Sequence, residues 1–169
     1  MFATYTMPVK VFISYSHKDE HHKEALAEHL TMLQRNGVIS TWDDRQLVAG
    51  DDWKDQISAN LEEAELILFL VSPSFLASSY CFDVEFARAR AKHAEGSAIL
   101  VPIFVRASDW KSSDLQAYQG LPKDAEPVAK WPDQDEAWMN VIDGLKKRLA
   151  IFATKKSTVV ISADQKKKL

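Results

Sequence analysis

Two carboxylates, Asp83 and Glu85, stand among Tyr80, Phe82 and Phe86 in the stretch SYCFDVEF, directly after a nearly continuous apolar run. If this stretch is helical, residues three and four apart share a face, so Cys81, Glu85 and Arg88 or Ala89 point together. Asp83 lies about 200° from Glu85 at about 100° per residue and points the other way. Asp83 is then the solvated acid. Glu85 is the candidate for chemistry, because a carboxylate aimed into a crevice can act through its charge or its hydrogen bonds. The competing reading is that Glu85 pairs with Arg88 on a wet helix face, worth a few tenths of a kcal/mol.

The elements that must position Glu85 show as changes of period along the chain. VKVFIS (9–14) and ELILFLVS (65–72) read as strands covered on both faces. AILVPIFV (98–105) is a third, with Pro102 weakening its ladder or marking a bulge, and VISTW (38–42) is a shorter fourth. Helical spacing places Leu26, Leu30 and Leu33 together over 19–36, with Ser16 and Asp19 as the expected cap and Gly37 as the stop. Trp53, Ile57 and Leu61 recur every four residues over 53–63. A third helix is expected from about Ser79 to His93, ending at Gly96. The last runs from about Asp135 to Phe152, carrying Trp138, Val141, Ile142, Leu145 and Leu149 on one side. With a short fifth strand at PVA (127–129), strand and helix alternate throughout, which predicts an α/β domain with a parallel sheet covered on both faces.

Five parallel strands with short crossovers favour the order 2-1-3-4-5, which reverses direction between strands one and three. The loops leaving those strands splay apart and open a crevice. Here they are SYSHKDE (14–20) and SPSFLASSYC (72–81), and Glu85 stands just beyond the second.

Composition limits the alternatives. A chain of 169 residues with 46% hydrophobic content is one domain with a sizeable core. A net charge of -3 is unlike a dedicated nucleic-acid binder. The lone Cys81 cannot form an internal disulfide, and MFATYTMPVKVF lacks the pattern of a secretion signal, so the cytoplasm is the expected compartment. No apolar run reaches the roughly 18 residues that cross a bilayer, and no membrane partner is expected. No Gly-x-Gly-x-x-Gly follows strand one and no Gly-Lys-Ser/Thr loop occurs. Strand three ends in Val71 and Ser72 rather than in a phosphoacceptor aspartate, and Ser14-Tyr15-Ser16-His17 has no glycine to wrap a phosphate. The histidines lack paired metal spacing with cysteine, and Cys81 has no histidine nearby in sequence, so no metal and no cofactor are expected. The segment TKKSTVVISADQKKKL (154–169) reads as a disordered basic tail, or else as a linker toward a partner domain. The resulting division is an extension over 1–7, a domain over 8–153 and this tail.

VKVFISYSHKDE, TWDDRQLVAGDDW, LILFLVSPSFLASSYCFDVEFARA and AILVPIFVRASDW, in this order and spacing, closely resemble a Toll/interleukin receptor (TIR) domain of the bacterial type over about residues 8 to 150. The resemblance implies a flavodoxin-like three-layer sandwich with a five-stranded parallel sheet. In the enzymatic branch it implies cleavage of the nicotinamide–ribose bond of NAD+ by a glutamate early in the helix after strand three, here Glu85. The products would be nicotinamide with ADP-ribose or a cyclic isomer, in an antiviral effector switched on by self-association. It also implies a loop over Asp43 to Asp52 that gates the pocket or touches a neighbouring subunit, with Asp43 and Arg45 in it, Arg45 attracting the pyrophosphate or holding the subunit contact. Ser14, Tyr15 and Ser16 would line the wall across from Glu85, and Tyr80 or Phe82 would supply its aromatic side beside Cys81. The expected partners are NAD+, other TIR domains in a homo-oligomer or filament, and a regulatory sensor domain or subunit. The alternative function is a non-catalytic module that recruits other TIR domains.

The chemistry needs one acid. Nicotinamide leaves NAD+ as a neutral base, so no general acid is required, and positive charge gathers on the ribose. The first turns of a helix are expected to keep Glu85 ionised for that cation.

Overall fold

The computed structural model of the chain describes residues 7–42 and 59–167, with side chains described as far as Ala153 and that of Trp42 excepted. The expected gating loop over Asp43 to Asp52, including Arg45, lies outside the described residues, as do Trp53 and Ile57. Four strands, β1 (Val9–Ser14), β2 (Ile39–Trp42), β3 (Leu66–Val71) and β4 (Ile99–Phe104), pair in parallel in the order β2-β1-β3-β4. The direction of winding therefore reverses between β1 and β3, as the sequence predicts.

The apolar runs are continuous because both faces of the sheet are covered. Every residue of β3 is buried. Leu66, Leu68 and Leu70 join Val11, Ile13 and Val101 on one face, under Leu26, Leu30, Trp138 and Leu145. Ile67, Phe69 and Val71 join Phe12, Leu100 and Phe104 on the other, under Phe75, Phe86 and Ala89. Alternation at period two deals successive side chains to two separate cores.

Helix α1 (Glu20–His29) and helix α2 (Thr31–Arg35) divide the expected helix at Leu30, where ψ relaxes to -7°. Gly37, at φ 71°, ends the pair, and the Val38 amide donates back to the Leu33 carbonyl at 2.9 Å. Residues 59–63 are helical and bury Leu61. The buried Lys92 ammonium closes that end, donating to the carbonyls of Leu61 at 3.0 Å, Ala64 at 2.6 Å and Glu62. Helix α3 (Pro73–Ala77) and helix α4 (Phe86–Ala94) follow β3, and helix α5 (Gln134–Lys167) completes the chain's regular structure.

Two expectations are corrected. The fifth strand is not formed among the described residues: Val128–Lys130 is a 3-10 turn whose Val128 enters the core. Pro122 and Pro127 donate no ladder bond, and Asp124 and Ala125 turn the chain at φ 59° and 54°. A single parallel bridge, Ile103 to Leu121, stands in the strand's place, its amide and carbonyl meeting Pro102 and Phe104. The bridge also shows why Pro102 fits: Ile99 donates toward β3 and Phe104 outward, so by alternation the imide nitrogen of Pro102 faces the outer edge, where no bond to β3 is lost. The second correction concerns the tail. The backbone of 154–167 continues α5 instead of being irregular, because no glycine or proline follows Gly144 to stop it.

Candidate functional site

The expected helix after β3 begins as seven π-helical residues, Ser79–Glu85, before α4 takes over. Ser78 caps it, accepting from the Cys81 amide at 3.1 Å, and the Phe86 amide reaches back five residues to the Cys81 carbonyl. Aromatic packing accompanies the wider turn. Phe82 and Phe86 stack with centroids 5.4 Å apart, and Phe69 and Phe75 meet the pair edge-on. Cys81 and Glu85 thereby turn inward along with Phe86, while Asp83 and Val84 face water.

Glu85 is 5% exposed and Cys81 6%, at the carboxyl end of the sheet beside Ser14, which is 1% exposed. The Cys81 thiol donates to the Tyr15 carbonyl at 3.4 Å, tying the loop after β1 to the π turn. Burial pushes the Glu85 carboxyl up to about 8, and the polar contacts with Ser14 and Cys81, which pull the other way, only partly offset it. The contact with Ser14 is loose: its Oγ makes no hydrogen bond of normal geometry among the described residues, which leaves a buried hydroxyl with unused capacity. The expectation that a helix terminus keeps Glu85 ionised is thus overturned. Glu85 does lie in the first turns, as the seventh residue of the helical path, but desolvation outweighs any dipole there.

The pairing alternative for Glu85 is also replaced. Arg88 grips Glu62 instead, Nη2 to Oε2 at 2.6 Å with Nε to Oε1 alongside. Tyr80 is half-buried, and desolvation first and then the Glu85 charge raise its phenol above the ordinary range. The backbone carbonyl of Tyr15 reaches this cluster, while its ring packs against the opposite core, with the Lys23 ammonium 5.8 Å from the centroid. Ser16 caps the 3-10 turn His17–Asp19, accepting from the Lys18 amide at 3.4 Å. Asp43 and Arg45 are outside the described residues.

Asp19 does not cap α1 as expected. Fully buried, it accepts from the Ser72 hydroxyl and from Arg106 Nε at 2.8 Å, and Arg106 also donates to Ser74 Oγ at 2.8 Å. Three loops, those after β1, β3 and β4, are joined through one carboxylate. Sequence reasoning missed this cluster. An Asp inside the loop after strand one and an Arg just after strand four were its visible signals. Replacing Asp19 with Ala should cost about 2–3 kcal/mol, since it strands the buried Ser72 hydroxyl and a guanidinium that still reaches water. Chemical denaturation checks this, and a change below about 0.5 kcal/mol would show that the network carries no stability.

His22, 4% exposed between His21 and Trp138, is lowered from 6.5 to about 4, by burial first and then by His21. The fold holds it neutral while the unfolded chain binds a proton below 6.5. Its contribution is complete above pH 6.5 and is lost as pH falls toward 4. A His22→Leu variant should therefore lose less stability than the parent between pH 6.5 and 4, read as the difference in melting temperature across that window.

Among the described residues, no three His, Cys, Asp or Glu side chains gather where a metal ion could be held. No helix there is long and apolar enough to cross a membrane.

A family model described as TIR domain matches residues 11–141. The uncharacterized protein y4lF of Sinorhizobium fredii is 43% identical over 136 residues, covering 80% of this chain and 42% of that protein. The chain therefore spans about two fifths of that relative's length. Among solved structures, TIR domains of the activated Roq1 resistosome directly recognizing the pathogen effector XopQ match with a TM-score of 0.59 at 14% identity, over 81% of this chain and 99% of theirs. The TIR domain of the Toll-related receptor TRR-2 from Hydra magnipapillata matches with a TM-score of 0.51 at 19% identity, over 80% and 97%. At such identities the two structures speak for a shared fold.

Proposed function

The chain belongs to the TIR domain family, and from that membership we propose that it cleaves NAD+ between nicotinamide and ribose, with Glu85 as the residue that acts on the sugar. The observation that supports this most is the buried Glu85 carboxyl set beside an unpartnered Ser14 hydroxyl at the carboxyl end of the sheet, where the winding reverses.

In the proposed reaction the bond from ribose C1′ to the pyridinium nitrogen breaks, and its electron pair neutralises the ring, which departs as nicotinamide. C1′ becomes cationic. An ionised Glu85 about 4 Å from it contributes on the order of 4 kcal/mol at an effective dielectric near 20, roughly a thousandfold in rate. Water then adds to C1′ and loses a proton to give ADP-ribose. Capture by an adenine nitrogen gives a cyclic isomer instead. Ser14 Oγ has the capacity to accept or donate to a ribose hydroxyl, and Tyr80 offers a ring beside it.

Glu85 is largely protonated near pH 7 in the single chain, so activity is proposed to need a partner that changes its surroundings. Other copies of this domain in an oligomer or filament would serve, in an effector that depletes NAD+ or makes a signal in antiviral defence. The same protonation favours a second reading, a module that recruits other TIR domains without catalysis. Incubating the purified protein with NAD+ at high protein concentration, and with the chains enforced into oligomers, separates the two. Nicotinamide release followed by chromatography supports catalysis, and none under either condition leaves the recruiting module.

A further inference from the structure

At the opposite end of β4 from Glu85 lies a surface groove of about 250 Å³ between the end of α4, the start of β4, the segment at Tyr118 and Gln119, and α5. It lies beside the edge of β4 that no described strand covers. Gly120 passes close against β4, where an added Cβ would meet the Phe104 ring at 2.3 Å, but no described strand pairs with the outer edge of β4 ahead of Pro102. Since Ile99 donates toward β3 and alternate residues face opposite edges, the Leu100 amide is aimed outward at this gap.

Arg148 is the one permanently cationic group among the described residues that line the groove. Arg148 is half-buried, its guanidinium held by the Gln119 carbonyl at 3.0 Å and the Gly144 carbonyl at 3.5 Å, and among the described residues no carboxylate pairs with it. Desolvation lowers its pKa from the ordinary range, as expected of a cation lacking a counter-charge. The imidazole of His93 stands across from it, edge-on to Tyr118 at 5.3 Å. The neighbouring Arg90 already has its acid, Asp114, at 2.8 Å. Ile99, Leu100 and Ile151 supply apolar walls, and Ile151 is 58% exposed at the rim.

We infer that this groove is a ligand site, separate from the Glu85 cluster, for a small organic acid of roughly ten non-hydrogen atoms in all, whose carboxylate pairs with Arg148 and whose apolar body lies against Ile99 and Ile151. A fixed guanidinium is suited to a planar carboxylate. The volume is below the usual range for drug-sized ligands, which limits the body to a fragment and the affinity to the millimolar range or somewhat tighter, ~0.1–1 mM.

The test uses the full chain and NMR titration with phenylacetate, its neutral analogue phenylacetamide, and inorganic phosphate. Phenylacetate should shift the backbone amides of Leu100, Tyr118 and Gln119, while phenylacetamide and phosphate bind at least about tenfold more weakly. Ile151→Glu puts a negative charge at an exposed rim position and should weaken phenylacetate at least about threefold, whereas Ile151→Lys should tighten it. Arg148→Gln should abolish it. Should Arg148→Gln fail to fold, the opposed responses of the two Ile151 variants decide. Equal binding of acid and amide, phosphate binding as well as phenylacetate, shifts confined elsewhere, no binding at all, or Ile151 variants that leave affinity unchanged each overturn the inference. None of these readings depends on cleavage of NAD+.

Discussion

Replacing Glu85 with Gln should cut nicotinamide release from NAD+ by about a thousandfold while the chain stays folded. The size is that of the ionised form, which the bound pyridinium favours: it loses one full charge about 4 Å from a cationic carbon, on the order of 4 kcal/mol at an effective dielectric near 20. The fold should persist because Gln is nearly isosteric and because Glu85, already largely neutral at pH 7, carries no ion pair among the described residues that the change would break. Asp83→Asn, two residues away on the wet side of the π turn, is the matched control and should leave the rate within about twofold. Circular dichroism of both variants and single-turnover kinetics under conditions where the parent is active supply the comparison. A Glu85→Gln protein that cleaves NAD+ at the parent rate removes Glu85 from the chemistry altogether.

How far this site was legible in sequence differs residue by residue, for physical reasons. The strands were readable because burial on both faces leaves an unbroken apolar record, as in Leu66–Val71. The inward face of Glu85 and outward face of Asp83 follow from helical geometry and survive the substitution of a π turn for an α turn, since residues four apart remain neighbours in both. The π turn itself was hidden. It accompanies the stacking of Phe82 on Phe86 against Phe69 and Phe75, and that arrangement is a tertiary fact. The ionisation of Glu85 was misjudged for a related reason: helix position is a local property, but desolvation depends on what else covers the side chain. Asp19 is the plainest case. Its spacing before α1 is that of a cap, yet Ser72 and Arg106, 53 and 87 residues away, claim its carboxylate. Sequence proximity cannot reveal a partner brought by β3 or β4. The fifth strand is absent among the described residues because one apolar pair, Val128 and Ala129, does not outweigh the flanking prolines and the turn at Asp124.

The stability of the parent relative to Glu85→Gln should fall as pH rises from about 4.5 to about 8. The sign follows from the direction of the shift. Glu85 has a folded value raised to about 8 from the ordinary 4.5, so within that window the unfolded chain has released its proton and the folded chain has kept it. Folding then requires proton uptake, each pH unit costs the native state about 1.4 kcal/mol, and the full window amounts to about 5 kcal/mol. Below 4.5 the two proteins should differ little in pH dependence; above 8 both states of the parent are ionised and the difference levels off. Equilibrium denaturation of both proteins at pH 5, 6, 7 and 8 isolates this group, because every other carboxylate is common to the pair. Parallel lines across the window would mean that Glu85 titrates normally and is not desolvated. The same energy gives the proposed catalysis a pH signature. For the free enzyme kcat/KM should climb about tenfold per unit up to pH 8, while kcat should level off at lower pH, because a bound pyridinium favours the carboxylate. Binding NAD+ at pH 7 should then release up to one proton, measurable as a buffer-dependent heat of binding. A buried acid costly to ionise alone is thus one whose charge is stabilised chiefly when a cation arrives beside it.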